Sequence, residues 1–133
     1  MYYDTNYKGP AIPVVEIRIT FRHKGQRVGL LPFTAYVDTG ADLTCIPPSV
    51  IPQESRSYKT GVKVRYADGR ERVKPGLLLP DAIVELRDNA GNWVSSGSHM
   101  LLKLIIQDPL LGRDVLNNHV STLDGPQLDL TII

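Results

Sequence analysis

The sequence predicts an all-β domain, and three observations carry that expectation. Val and Ile number 22 against 6 Ala, a balance that favours pleated strands over helices. Gly and Pro together number 21 in 133 residues, so the chain is punctuated too often for long helices. Apolar and polar residues also alternate along several segments, which is the period of a half-buried strand.

The elements follow in chain order. Residues 12–21 alternate Val15, Ile17, Ile19 and Phe21 with Glu16, Arg18 and Thr20, predicting a strand. Lys24-Gly25-Gln26 supplies a turn, and Val28 to Val37 is read as one returning strand that runs into Asp38-Thr39-Gly40. Pro47, Pro48 and Pro52 exclude a central strand, so 47–60 is expected to be loop. Val62 to Tyr66 alternates again, Ala67-Asp68-Gly69-Arg70 carries an Asp-Gly hairpin signal, and Glu71 to Lys74 returns. Leu77 to Leu86 and Trp93 to Ile106 are two further strands joined by the turn-rich Asp88 to Asn92, with Trp93 expected to pack on the core. Residues 112–119 predict the one short helix, and a final hairpin around Asp124-Gly125-Pro126 ends in Leu128, Leu130 and Ile132. The internal Gly97-Ser98-His99-Met100 resembles the remnant of tag removal, and residues 95–100 carry no functional reading.

Composition narrows the function classes. One domain, residues 1–133, suits this length. Fifteen Lys and Arg against 14 Asp and Glu give no basic excess to mark a nucleic-acid binder. No apolar run is long enough to span a bilayer, so no membrane partner is expected. The single cysteine excludes a disulfide framework, and three scattered histidines offer no ligand spacing, so neither metal nor cofactor is expected. The N-terminus lacks the charged-then-apolar order of a signal peptide, which makes the expected location cytoplasmic. Cys45 reads either as a nucleophile, with His23, His99 or His119 as a base, or as an inert buried thiol, and its neighbours Leu43, Ile46 and Pro47 favour the thiol.

The chemistry concentrates at Asp38-Thr39-Gly40-Ala41-Asp42. A carboxylate that follows the apolar Ala35-Tyr36-Val37 and precedes a Thr-Gly turn projects from a strand end on a rigid support, as a catalytic acid or base requires. Thr39 offers a hydroxyl to lock the turn, and Gly40 permits close approach of another backbone. An isolated Asp-Thr-Gly is more often an ordinary turn. Here, however, Leu110-Leu111-Gly112-Arg113-Asp114-Val115-Leu116 stands downstream, an apolar pair leading into Gly and a short helix.

Together these two segments resemble the retropepsin-like, retroviral-type aspartic proteases, and the resemblance covers most of the chain. It implies a single-lobed, closed β-barrel of the acid protease fold with one short C-terminal helix. It implies Asp38 as the catalytic residue, with Thr39 and Gly40 bracing the active-site loop, Thr39 by bonding its counterpart in a second subunit. Gly40, Ala41 and Asp42 fall where the family holds a substrate's backbone, and Arg113 falls where the family pairs an arginine with Asp42. The family's flap over the substrate maps to the hairpin 62–73, with Ala67, Asp68 and Gly69 as tip contacts to substrate; Arg70 and Glu71 read equally as a solvated tip. Residues 1–11 map to an N-terminal arm, anchored by Tyr2, Tyr3 and Tyr7, and 121–133 to a C-terminal hairpin at a dimer interface.

Physics explains why one motif implies two chains. Metal-free peptide hydrolysis without a covalent intermediate needs one group as base and one as acid. Two carboxylates ~3 Å apart repel by about 5 kcal/mol at an effective dielectric near ~20, so they share one proton across a broad pH range. This chain has a single Asp-Thr-Gly and is too short for two lobes, so the expected form is a homodimer acting on a polypeptide substrate, with Asp38 meeting its symmetry mate. The alternating terminal strand 128–133 reads either as an exposed edge that a second subunit covers, which points the same way, or as a strand that closes its own sheet through the Asp124-Gly125 hairpin, or as both. The competing reading is a catalytically silent dimer of the same fold that binds extended peptides as a scaffolding module.

Overall fold

The computed structural model describes residues 2–4, 12–23, 25–50, 58–65, 69–104, 106–124 and 129–132. The described residues form eleven strands and one helix. They are β1 (Tyr2–Asp4), β2 (Ile12–His23), β3 (Gln26–Gly29), β4 (Phe33–Val37), β5 (Cys45–Ile46), β6 (Tyr58–Arg65), β7 (Glu71–Arg87), β8 (Trp93–Leu104), β9 (Leu110–Leu111), α1 (Arg113–Leu116), β10 (Ser121–Asp124) and β11 (Asp129–Ile132).

The sheet closes on itself. Strands run in the order β2-β4-β9-β5-β8-β7, and β7 pairs back onto β2 with Ile17 opposite Leu86 and Ile19 opposite Val84. Six strands thus form a barrel with no open edge, leaving β3, β6 and the terminal strands outside the ring. The predicted alternation in β2 fills this barrel: Val15, Ile17, Ile19 and Phe21 are all nearly inaccessible, as are Ala35, Ile46, Leu79, Val84, Leu86, Leu101, Leu111 and Val115. A second, smaller apolar cluster of Cys45 and Leu102, with Leu78, Ile106 and Leu110 against it, lies apart from that core. Ile46 and Leu111 point into the barrel, so their neighbours Cys45 and Leu110 face the other side of the same two strands.

Several elements differ from the sequence expectation. The strand expected over 28–37 is two strands, because Leu30-Leu31-Pro32 breaks it: Pro32 has no N–H to give to a ladder, and Leu31 stands 87% exposed. β3 forms a hairpin with β2, whereas β4 pairs further down, with Val15 opposite Ala35. The loop after Pro47 ends by Tyr58, where β6 begins, and 51–57 lie outside the described residues. The segments 71–74 and 77–86 are one strand, β7, carried past Pro80 by a bulge between Leu79 and Ala82 at which Asp81 takes φ +57. The expected helix over 112–119 is helical only over Arg113–Leu116. Ser98 and His99 pair with Ile83 and Ala82 inside β8, so the Gly97 to Met100 stretch is part of the barrel wall. His99 Nε2 lies 2.7 Å from the Ser96 carbonyl oxygen, which also accepts from Asn118 Nδ2 at 3.0 Å.

Trp93 corrects another expectation. It begins β8 on the outer face, with the Arg18 guanidinium 4.5 Å and that of Arg87 5.5 Å from its ring. Arg18 also donates to both carboxylate oxygens of Glu85, at 3.0 and 2.8 Å, while Arg87 meets Glu16 at 3.1 Å. These contacts tie β2, β7 and β8 together from outside. The terminal strand is likewise not an unpaired edge: β11 lies between β10, with Leu123 opposite Leu130, and β1, with Tyr2 opposite Asp129. The edge argument for dimerisation therefore does not hold for β11, and β10 is the outermost strand on that side.

Candidate active site

Asp38 leaves the end of β4, and the reason for its position is the neighbour β4 takes. β4 runs parallel to β9, with Tyr36 beside Leu110 and Val37 beside Leu111, so Asp38 and Gly112 emerge together from adjacent strand ends. Backbone hydrogen bonds fasten the pair: Tyr36 N–H donates to Pro109 O at 2.9 Å and Asp38 N–H to Leu111 O at 3.0 Å. The chain then turns, with Ala41 N–H donating to Asp38 O at 3.2 Å. Inside that turn Gly40 N–H donates to Asp38 Oδ1 at 2.9 Å, fixing the half-buried carboxylate. A Cβ on Gly40 would stand 3.2 Å from that same oxygen, a close contact that a hydrogen atom avoids. Thr39 and Gly40 are exposed at the crest of the turn.

The rest of the loop is held by α1. Arg113 N–H donates to Ala41 O at 2.9 Å and Asp114 N–H to Asp42 O at 3.3 Å. The Arg113 guanidinium also donates to the Asp42 carboxylate, so the two residues are brought together. Both side chains are largely exposed, and an exposed pair of this kind contributes little energy but fixes geometry. Gly112 is the tightest point: a Cβ there would lie 2.6 Å from both the carbonyl carbon and oxygen of Leu43 and 2.9 Å from Thr44 N. The apolar-apolar-Gly signal therefore reports a backbone-on-backbone crossing.

Beneath the loop lies a hydrogen-bonded junction that sequence reasoning missed. Asp114 Oδ1 accepts from Thr44 N–H at 3.0 Å, Thr44 Oγ1 at 2.7 Å and Val115 N–H at 2.8 Å. Thr44 is fully buried, and its hydroxyl accepts from Gly112 N–H at 3.0 Å. Thr44 O takes Leu102 N–H at 3.1 Å, linking the loop to β8. The available signal was Thr44 itself, a polar residue between Leu43 and Cys45-Ile46, since a polar group in an apolar run is buried only with a partner.

Cys45 is beside this junction. Burial pushes its thiol up to about 11, with the charges of Asp114 and Asp38 adding to the effect. Its Sγ donates to Leu43 O at 3.3 Å. The thiol stays protonated at neutral pH, so it is a packing residue with no nucleophilic character. Of the expected flap contacts, Gly69 is exposed with φ +86, whereas Ala67 and Asp68 lie outside the described residues. The hairpin expected over 62–73 is longer than expected, with β6 and β7 in unbroken register from Tyr58 opposite Leu78 to Arg65 opposite Glu71.

A half-buried carboxylate on a strand-end turn, braced by a glycine crossing and a short helix, is a rigid platform for acid–base chemistry. Among the described residues, Asp38 is the one carboxylate of this kind. Comparison with known protein families finds the retroviral aspartyl protease family over residues 10–124. Comparison with curated proteins finds no match. With most of its length matched in this way, the chain belongs to the retroviral aspartyl protease family.

Proposed function

We propose that the protein is a homodimeric aspartic endopeptidase in which Asp38 of each protomer forms a dyad at the twofold axis. The observation that carries this reading is the Asp38 turn: its carboxylate is anchored at Oδ1 by Gly40 N–H, its backbone is fastened to Leu111, and its crest residues, Thr39 and Gly40, stand exposed where a second copy would meet them.

The chemistry follows from the pair. One carboxylate, ionised, takes a proton from a water molecule as its oxygen adds to the scissile carbonyl carbon. The other, protonated, gives its proton to the carbonyl oxygen. The tetrahedral diol then collapses, the C–N bond breaks, and the amine nitrogen receives a proton from the dyad. Because the two carboxyls titrate as a pair, their apparent pKa values belong to the dyad and not to either residue. Gly40, Ala41 and Asp42 hold the substrate's backbone from below, and the β6–β7 hairpin lies above it.

Dilution tests this reading. With peptide substrate in excess, specific activity is expected to fall as protomer concentration drops, in step with dimer dissociation measured by sedimentation, and to be blocked by a statine-type inhibitor. Constant specific activity in a demonstrably monomeric protein would overturn the proposal.

A further inference from the structure

The β6–β7 hairpin is built differently from the barrel wall. β7 keeps β8 as a neighbour only as far as Gly76, opposite Leu104. From Pro75 to Glu71 its registered partner among the described residues is β6, Gly61 to Arg65, so these residues run on as a two-stranded ribbon. Arg70, Glu71, Arg72 and Val73 are exposed, so burial does not dictate their identity.

Charge is concentrated in this hairpin. Residues 58–74 hold six Lys or Arg and two Asp or Glu, a net +4 in a chain whose total is +1, so the remaining residues carry −3. Lys63 meets Glu71 at 2.9 Å, and both belong to the face that carries Val73. Arg72 is on the opposite face. By strand alternation, with no register shift between 71 and 78, that is the face of Gly76 and Leu78. Leu78 packs with Cys45 and Leu110, the cluster that flanks the Asp38 turn. Arg72 therefore stands on the side of the ribbon that continues toward the catalytic floor.

We propose that this ribbon selects acidic polypeptide segments, with Arg72 as a specificity-determining residue; the inference rests on the site read above as a peptide-cleaving one. An extended peptide directs alternate side chains to opposite faces. Those facing the floor meet the apolar cluster, and those facing the ribbon meet Arg72, set in a hairpin whose net charge is +4. Asp or Glu at alternate positions satisfies the second requirement. Such attraction acts over about 10 Å at ~0.1 M salt and raises encounter rate as well as affinity.

The experiment uses two sets of labelled decapeptides, alike except for Glu or Lys at alternate positions. Binding is followed by anisotropy to the Asp38→Asn protein and cleavage by the parent protein. The Glu set is expected to bind and to be cleaved about tenfold better at low salt, an advantage that shrinks at high salt. Arg72→Glu is expected to invert the order and Arg72→Gln to abolish it, while Arg27→Glu, exposed on the β2–β3 hairpin, keeps it. Equal treatment of both sets, an order indifferent to Arg72→Glu and Arg72→Gln, or tighter binding of a single-stranded oligonucleotide than of the Glu peptides would overturn the inference. Tight binding of the Glu set with no cleavage of any peptide would sustain the ribbon's selectivity and refute the proteolytic reading.

Discussion

Removing the Asp114 carboxylate isolates the junction that supports the catalytic loop. Asp114→Ala takes away the acceptor of three donors at once, Thr44 N–H, Thr44 Oγ1 and Val115 N–H, and both Thr44 and Val115 are fully buried. A buried donor left unpaired costs about 1–3 kcal/mol. The Thr44 hydroxyl can turn to another acceptor and water can enter the vacated space, so the expected loss is about 3–5 kcal/mol. Against the ~5–15 kcal/mol of a typical domain this is a large fraction. Asp114→Asn behaves differently. Its Oδ1 keeps all three donors, and its amide nitrogen replaces Oδ2, which is buried without a partner among the described residues. The expected loss is then about 1–2 kcal/mol, because only the new amide N–H groups go unpaired. Urea unfolding followed by the emission of Trp93, at one fixed protomer concentration, measures both variants. An Ala variant as stable as the parent, or an Asn variant as damaged as the Ala one, would refute the reasoning.

Three other outcomes follow from named contacts. Gly112→Ala drives a methyl group into the Leu43 carbonyl and Thr44 nitrogen, so stability falls by about 1–3 kcal/mol and kcat falls more than KM changes; unfolding curves and steady-state kinetics check it. Cys45 holds its proton up to about 11 in the folded state, whereas in the unfolded chain it loses it near 9. Stability from this residue is therefore full below about pH 9, declines by on the order of 2 kcal/mol toward pH 11 and then levels off, and Cys45→Val removes that decline when unfolding is measured across the range. Arg18→Ala strips the guanidinium from the Trp93 ring and from Glu85, so Tm falls and Trp93 emission shifts to the red; unchanged emission would count against the stacked arrangement.

What was legible in the sequence is the part governed by local pattern. The alternation of β2 names the barrel core correctly because a one-residue slip would turn Ile17 and Ile19 to solvent. Asp38 and Gly112 were found because Asp-Thr-Gly and Leu-Leu-Gly are contiguous signals, and the structure sets them on neighbouring parallel strands. The two-residue strands β5 and β9 were invisible, since their pairing is with residues far along the chain and two residues show no period. β7 reads as two strands for the opposite reason: Pro75-Gly76 looks like a break, yet Pro75 still pairs with Gly61 of β6 and the strand runs on. Trp93, after Gly91-Asn92, reads as a strand residue packing on the core, but its partners are two arginines from other strands. Asp114 and Thr44 are 70 residues apart and meet only in the folded chain. Long-range polar pairing leaves no periodic trace, which is why the support of the loop was harder to read than the loop.

The central claim is that Asp38 and its symmetry mate carry the chemistry, and Asp38→Asn tests it most directly. Asn keeps the shape of the side chain and an oxygen to accept from Gly40 N–H, so the variant is expected to fold and dimerise like the parent by circular dichroism and sedimentation. Peptide cleavage at mildly acidic pH, followed by mass spectrometry, is expected to vanish in that intact dimer because neither carboxamide can take a proton from water. Cleavage at the same bonds and at a comparable rate by purified Asp38→Asn protein would contradict the account.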